Sequence, residues 1–131
     1  MRLLLDTHIL LWTISTPERV GAEALSAIKS PANEVLFSAV NIWEIAIKFR
    51  LGYRDFIAYP DEVLIEALDI GFVELPIYSR AAAAVATLPL IHRDPFDRLL
   101  IAQAIAEPAI LYTADAQLPA YSDLVRRVDA R

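Results

Sequence analysis

"RLLLDTHILLWTIS", Arg2 to Ser15, carries the two periods that decide the fold. Its first part is an unbroken apolar run closed by Asp6, the pattern of a strand buried on both faces. From His8 the apolar residues take up helical spacing. The same alternation continues along the chain. Pro17 opens a helix over "PERVGAEALSAIKS", with Glu18 near the positive end of its dipole, and Pro31 ends it. "EVLFS" is a second strand; Ser38 caps the helix "AVNIWEIAIKFRLG", which Gly52 terminates. Ile42, Ile45, Ala46 and Phe49 form the apolar stripe of that helix. "PDEVLIEALDIG" runs from Pro60 to Gly71 and leads into a third strand, "FVELP". "SRAAAAVATLP" is an alanine-rich helix assigned to the core, and "DPFDRLLIAQAIAE" is a further helix up to Pro108. "AILYT" is the fourth strand and "LVRRV" a weaker fifth. Strands alternating with helices predict an α/β fold, a single domain over residues 1–131 with a parallel sheet covered on both faces.

Composition narrows the function. Hydrophobic residues make up 56% and charged residues 22% of the 131, which excludes a disordered chain. The absence of cysteine excludes a disulfide framework, a thiolate zinc site and a cysteine nucleophile, and suits a reducing compartment. Asp6 interrupts the first apolar run and no small-residue cleavage site follows, so a cytoplasmic protein is expected. The longest uncharged apolar run, "AAAAVATLPLI", is too short to span a bilayer. A net charge of −5 argues against passive binding to polyanions, so a nucleic-acid partner requires a cation or a basic protein to offset the acids. The basic groups Lys48, Arg50 and Arg54, then Arg93 and Arg98, then Arg126, Arg127 and Arg131 read as solvated surface charge.

Ligands of open parallel sheets bind outside the carboxyl ends of the strands, where strand order reverses. Asp6 follows the first strand and Asp115 the fourth, so adjacency of those strands would bring both into that crevice. A second charge concentration is "HRDPFDRLL", His92 to Leu100. There Asp94 suits an N-cap and Pro95 the first helical position. Asp97 falls where a capping box prefers the longer Glu or Gln. Taken singly, each acid has a local explanation: Glu44 pairs with Lys48 at i to i+4, and Asp115 caps "AQLPAY". Asp6 is the least ordinary, because an acid closing a buried strand needs a partner. If Asp6, Glu44, Asp97 and Asp115 converge, their repulsion calls for a cation, and an oxygen-only donor set selects magnesium or manganese. Such an ion binds phosphate and lowers the pKa of water, the chemistry of phosphodiester hydrolysis. His8 and His92 read as supporting rather than ligating residues, and Thr7 and Thr113 as hydroxyls that orient waters or carboxylates or, more commonly, satisfy strand-end backbone groups. Arg93 and Arg98 are assigned either to a substrate backbone or to nearby acids. No nucleophile elbow, zinc-protease motif, P-loop or dinucleotide fingerprint occurs.

"LLLDTHILLW", "SAVNIWEIAIK", "HRDPFDRLLIAQA" and "LYTADAQLPAY" together resemble the successive motifs of PIN-domain ribonucleases, in particular VapC-like toxins of toxin-antitoxin pairs. The resemblance implies a three-layer α/β/α sandwich around a mostly parallel five-stranded sheet. By motif it makes Asp6, Glu44 and Asp97 the core metal-binding acids and Asp115 the more variable fourth, leaving Asp94 structural. It further implies a magnesium- or manganese-dependent endoribonuclease, a homodimer, and a small antitoxin partner.

Two other readings compete. A phospho-accepting receiver domain needs an acid pair after the first strand, an aspartate ending the third and a lysine after the last. Here the first supplies only Asp6, the third ends "VELP", and the tail has arginines. A catalytically idle PIN-like scaffold is disfavoured by the intact acid set.

Overall fold

The computed structural model describes residues 1–128; Arg131, assigned above to a surface cluster, lies outside them. Five strands, β1 (Arg2–Leu5), β2 (Glu34–Ser38), β3 (Val73–Leu75), β4 (Ile110–Thr113) and β5 (Val125–Arg127), form one sheet in the order β3-β2-β1-β4-β5. Every pairing is parallel, with Leu4 opposite both Leu36 and Leu111. Six α-helices occur among the described residues: α1 (Thr7–Ser15), α2 (Ala22–Lys29), α3 (Ala39–Leu51), α4 (Pro60–Ile70), α5 (Ser79–Ala84) and α6 (Pro95–Ala106). None is long and apolar enough to cross a membrane.

The buried strands divide their side chains between two cores. Leu3, Leu5, Val35, Phe37 and Tyr112 pack with residues of α1, α2 and α4, among them Ile9, Ile28 and Val63. Leu4, Leu36 and Leu111 pack on the other face with Leu100, Ile101 and Ala104 of α6. This is the three-layer sandwich, with helices on both faces of a fully parallel sheet. Leu3, Leu4 and Leu5 are all completely buried; each such side chain contributes about 1.5–3 kcal/mol of burial energy.

Local chemistry sets the helix ends. Ser38 caps α3: its Oγ accepts from the Val40 N–H at 3.0 Å, and Asn41 Oδ1 accepts the Ser38 N–H at 2.7 Å. Gly52 and Gly71 end α3 and α4 with φ of 78° and 103°, a conformation that favours glycine.

Three expectations need correction. The helix from Pro17 is broken: Pro17–Arg19 is a 3-10 turn, Val20 is extended, and Gly21 caps α2. Apolar spacing continues through the break, but a glycine costs about 1 kcal/mol in a helix interior and serves well as a cap. In α3 the fully buried residues are Val40, Asn41, Glu44 and Ile45, so two polar residues displace Ile42, Ala46 and Phe49 from the most buried face. The alanine-rich segment is not a core helix. Only Ala81 of α5 is buried, and the segment passes into a 3-10 turn at Val85–Thr87. Alanine favours the helix without supplying enough apolar surface to hold it in the interior.

Candidate metal centre

Strand order reverses between β1 and β4, and the residues that follow these two strands meet there, as the switch-point rule predicts. A cavity of about 420 Å³ opens at this end, lined by Asp6, Glu44, Lys48, His92, Asp97 and Asp115 among others. Asp94, Asp55, His8 and Trp12 also border it. All four acids expected from the sequence therefore share one cavity. A larger cavity, about 590 Å³, is lined by the start of β2 and the ends of α2 and α4; its only charged lining residues are Lys29 and Glu34.

Each acid is held differently. Asp6 is buried and caps α1, its Oδ1 accepting the Ile9 N–H at 2.9 Å. The sequence reading missed this cap, although an aspartate immediately before helical spacing is its usual signal. Burial pushes the Asp6 carboxyl above its usual range; hydrogen bonds from Thr113 and Ile9 and the nearby His8 oppose this, and the charge of Glu44 adds to it. Glu44 is buried in α3, where Oε1 accepts from Thr7 Oγ1 at 2.5 Å and Oε2 lies 2.6 Å from Lys48 Nζ. Asn41 Nδ2 in turn donates to Thr7 Oγ1 at 3.0 Å. Asp115 makes a turn-forming bond, its Oδ1 accepting the Gln117 N–H at 2.8 Å. Thr113 Oγ1 accepts the Asp115 N–H at 3.0 Å. Both threonines thus orient carboxylates or their backbone, as expected.

Asp94 is the cap of α6, accepting from the N–H groups of Phe96 and Asp97. Asp97 is the third residue of α6, three positions beyond the cap, and its carboxylate accepts no hydrogen bond among the described residues. Its nearest basic atom is His92 Nδ1 at 3.9 Å. Burial pushes the Asp97 carboxyl up to about 8, reinforced by the charges of Asp94, Asp6, Glu44 and Asp115. The acids therefore interact with one another.

His92 enters the centre between two of them. Ligand atoms of His92, Asp97 and Asp115 all lie within 4.8 Å of one another. Yet His92 Nδ1 accepts the Asp94 N–H at 3.0 Å, which leaves the ring proton on Nε2, 3.2 Å from Asp115 Oδ2. In this arrangement the Nε2 side of the imidazole faces Asp115. The donor set that remains is carboxylate oxygen, which fits a hard divalent cation.

The basic residues depart from expectation. Lys48 is not solvated surface charge: its side chain is only 17% exposed, in the ion pair with Glu44. Burial alone would lower its ammonium, but the hydrogen bond and charge of Glu44, followed by Asp94 and Asp97, carry it above its usual value. Arg98 reaches neither substrate space nor an acid. Its guanidinium donates to the carbonyls of Val85, Leu88 and Pro89 and to the Tyr121 hydroxyl. That hydroxyl accepts the His92 N–H at 2.7 Å, so Arg98 braces the loop carrying His92. Arg93 is exposed and makes no ion pair among the described residues.

No curated protein matches the chain in sequence. Solved structures do match in fold. The complex VapBC2 from Rickettsia felis, bound to a DNA fragment from its promoter, contains a chain 17% identical with a TM-score of 0.73, covering 98% of this chain and 100% of that one. FitAcB from Neisseria gonorrhoeae matches at 23% identity and a TM-score of 0.63, covering 95% of each chain. VapBC-1 from nontypeable Haemophilus influenzae matches at 18% and 0.64, covering 98% of each. The family model described as PIN domain matches residues 3–124, almost the full described length and every acid of the cavity, and the chain accordingly belongs to the PIN domain family.

Proposed function

We propose that this chain is a divalent-metal-dependent endoribonuclease and the toxin of a toxin-antitoxin pair. The observation that carries the reading is the convergence of Asp6, Glu44, Asp97 and Asp115 on one cavity at the switch point of the sheet. PIN domains are generally metal-dependent nucleases, and these carboxylates are the residues that would hold the ion. A bound magnesium or manganese ion supplies charge neutralisation and a water of lowered pKa. The protein's own part is positional. Thr7 holds Glu44, Thr113 holds the backbone of Asp115, His92 stands against the Asp115 carboxylate, and Asp94 caps the turn that carries Asp97. The net reaction adds water at an RNA phosphorus, breaks one P–O bond and leaves a proton on the departing oxygen.

The charge of the chain fits this scheme, because an acidic protein needs bound cations before a polyanion can approach. The structural relatives include toxin-antitoxin complexes, which supports a small antitoxin as partner here. A homodimer and a cytoplasmic location complete the proposal.

The test is cleavage of mixed cellular RNA by purified protein with magnesium, manganese or chelator, beside Asp6→Ala and Asp97→Ala. Metal-dependent fragments that disappear in both variants are expected. If metal neither activates nor stabilises the wild type, the nuclease reading fails in favour of an idle scaffold.

A further inference from the structure

We propose that Lys48 is a resident cation of the acidic centre: its ammonium occupies Glu44, so the centre takes one divalent ion, on its Asp97 and Asp115 side. This rests on the metal-dependent reading above and narrows its ligand set, making Glu44 the partner of Lys48 instead of a metal ligand. Both oxygens of Glu44 are engaged, Oε1 by the Thr7 hydroxyl and Oε2 by Lys48 Nζ at 2.6 Å. The Glu44 side chain is 5% exposed. Each oxygen keeps a further lone pair, but a divalent ion there would stand beside the Lys48 ammonium, 2.6 Å from Oε2, and be repelled by it in a buried setting.

The surroundings of Lys48 hold the ammonium where it is. Its Nζ lies 5.1 Å from the ring centre of Phe56, 5.7 Å from that of Phe96 and 5.8 Å from that of Tyr53. Aromatic faces attract a cation without consuming its N–H donors. The other side of the cavity has the opposite character. Asp97 accepts no hydrogen bond, Asp115 Oδ2 meets only His92, and no lysine or arginine comes within ion-pair distance of Asp6, Asp97 or Asp115 among the described residues. One cavity therefore holds both an ammonium bound to Glu44 and carboxylates with no lysine or arginine paired to them. An entering phosphate would meet two positive centres, one exchangeable and one built into α3. Lysine suits the second role as a compact point charge.

The decisive measurement counts ions without RNA. Protein stripped by chelator is titrated with Mn²⁺ while the free ion is followed by its electron paramagnetic resonance signal. Wild type is expected to bind one ion per chain. Two ions would overturn the role of Lys48 and leave the metal-dependent reading intact; none at saturating Mn²⁺ would overturn both. Lys48→Met is expected to gain a second ion at the released Glu44, and a count that stays at one shows that Lys48 does not set it. Should that variant fail to fold, Glu44→Gln/Lys48→Met removes both charges together. It is expected to keep the single ion at wild-type affinity, whereas a loss of about tenfold or more would make Glu44 a ligand and overturn the proposal.

Discussion

In metal-free protein, Asp97→Asn should raise stability at pH 8 and change it little at pH 4. The folded Asp97 carboxyl is pushed up to about 8 from an ordinary value of 3.8, chiefly by burial and then by the charges of Asp94, Asp6, Glu44 and Asp115. Between those two values the folded protein holds a proton that the unfolded chain has released. The unfolded state binds fewer protons, so stability falls as pH rises through this window, the reverse of the behaviour of a salt-bridged acid. Each unit of pH inside the window shifts the balance by about 1.4 kcal/mol, giving a ceiling of about 4 kcal/mol between pH 5 and pH 8. Asp97 keeps 18% of its side-chain exposure, and solvent relaxation around the carboxylate brings the expected effect nearer 2 kcal/mol.

Asparagine imitates the protonated acid and removes the charge. Urea unfolding in chelator at pH 5, 6.5 and 8 should show wild type losing stability steadily while Asp97→Asn loses much less. A residual slope of the same sign is expected from Asp6, whose carboxyl is also raised by burial. Saturating magnesium at pH 8 should stabilise wild type more than the variant. Parallel pH profiles for the two proteins would refute the reasoning, because Asp97 would then not feel the neighbouring acids.

Three further outcomes are expected. Asp6→Asn keeps an oxygen to cap α1, so it should melt close to wild type yet bind manganese far more weakly; Asp6→Ala should lose about 1 kcal/mol of stability as well, both read by thermal unfolding and metal titration. Arg98→Ala removes donors from three carbonyls and a hydroxyl; it should cost about 1–3 kcal/mol in urea unfolding and leave the salt slope of RNA binding unchanged. His92→Phe should weaken Mn²⁺ binding about 10- to 100-fold by releasing Asp115, while His92→Gln, which restores an N–H donor, should recover most of it.

The sequence made the sheet legible because its strands are short apolar runs separated by helical spacing and punctuated by Pro and Gly. It failed where two explanations share one pattern. Val20, Ala24 and Ile28 keep helical spacing across Gly21, so periodicity could not reveal that the chain turns there. Alanine spacing likewise cannot distinguish a buried helix from a half-exposed one. At the site, Glu44 and Lys48 were visible as an i to i+4 pair, but nothing local showed that Phe56, Phe96 and Tyr53 enclose it. Arg98 was misread because its partners are backbone carbonyls, which carry no side-chain signature.

Cap and ligand were set against each other when the acids were read singly, and the structure removes that opposition. A carboxylate offers about four acceptor positions, and a backbone N–H occupies only one. Asp6 and Asp115 each give Oδ1 to one backbone N–H, and Asp94 shares Oδ1 between two. The cap fixes the side chain, and the remaining lone pairs stay directed by that constraint rather than by the metal. The cavity is consequently built by the folding of α1, α6 and the turn after β4, before any ion arrives. Asp97 is the exception, since its carboxylate accepts no hydrogen bond among the described residues, whereas Glu44 is held by Thr7 and Lys48. Its proton affinity is raised by burial first and then by the charges of Asp94, Asp6, Glu44 and Asp115, so a nearby cation would favour its charged form.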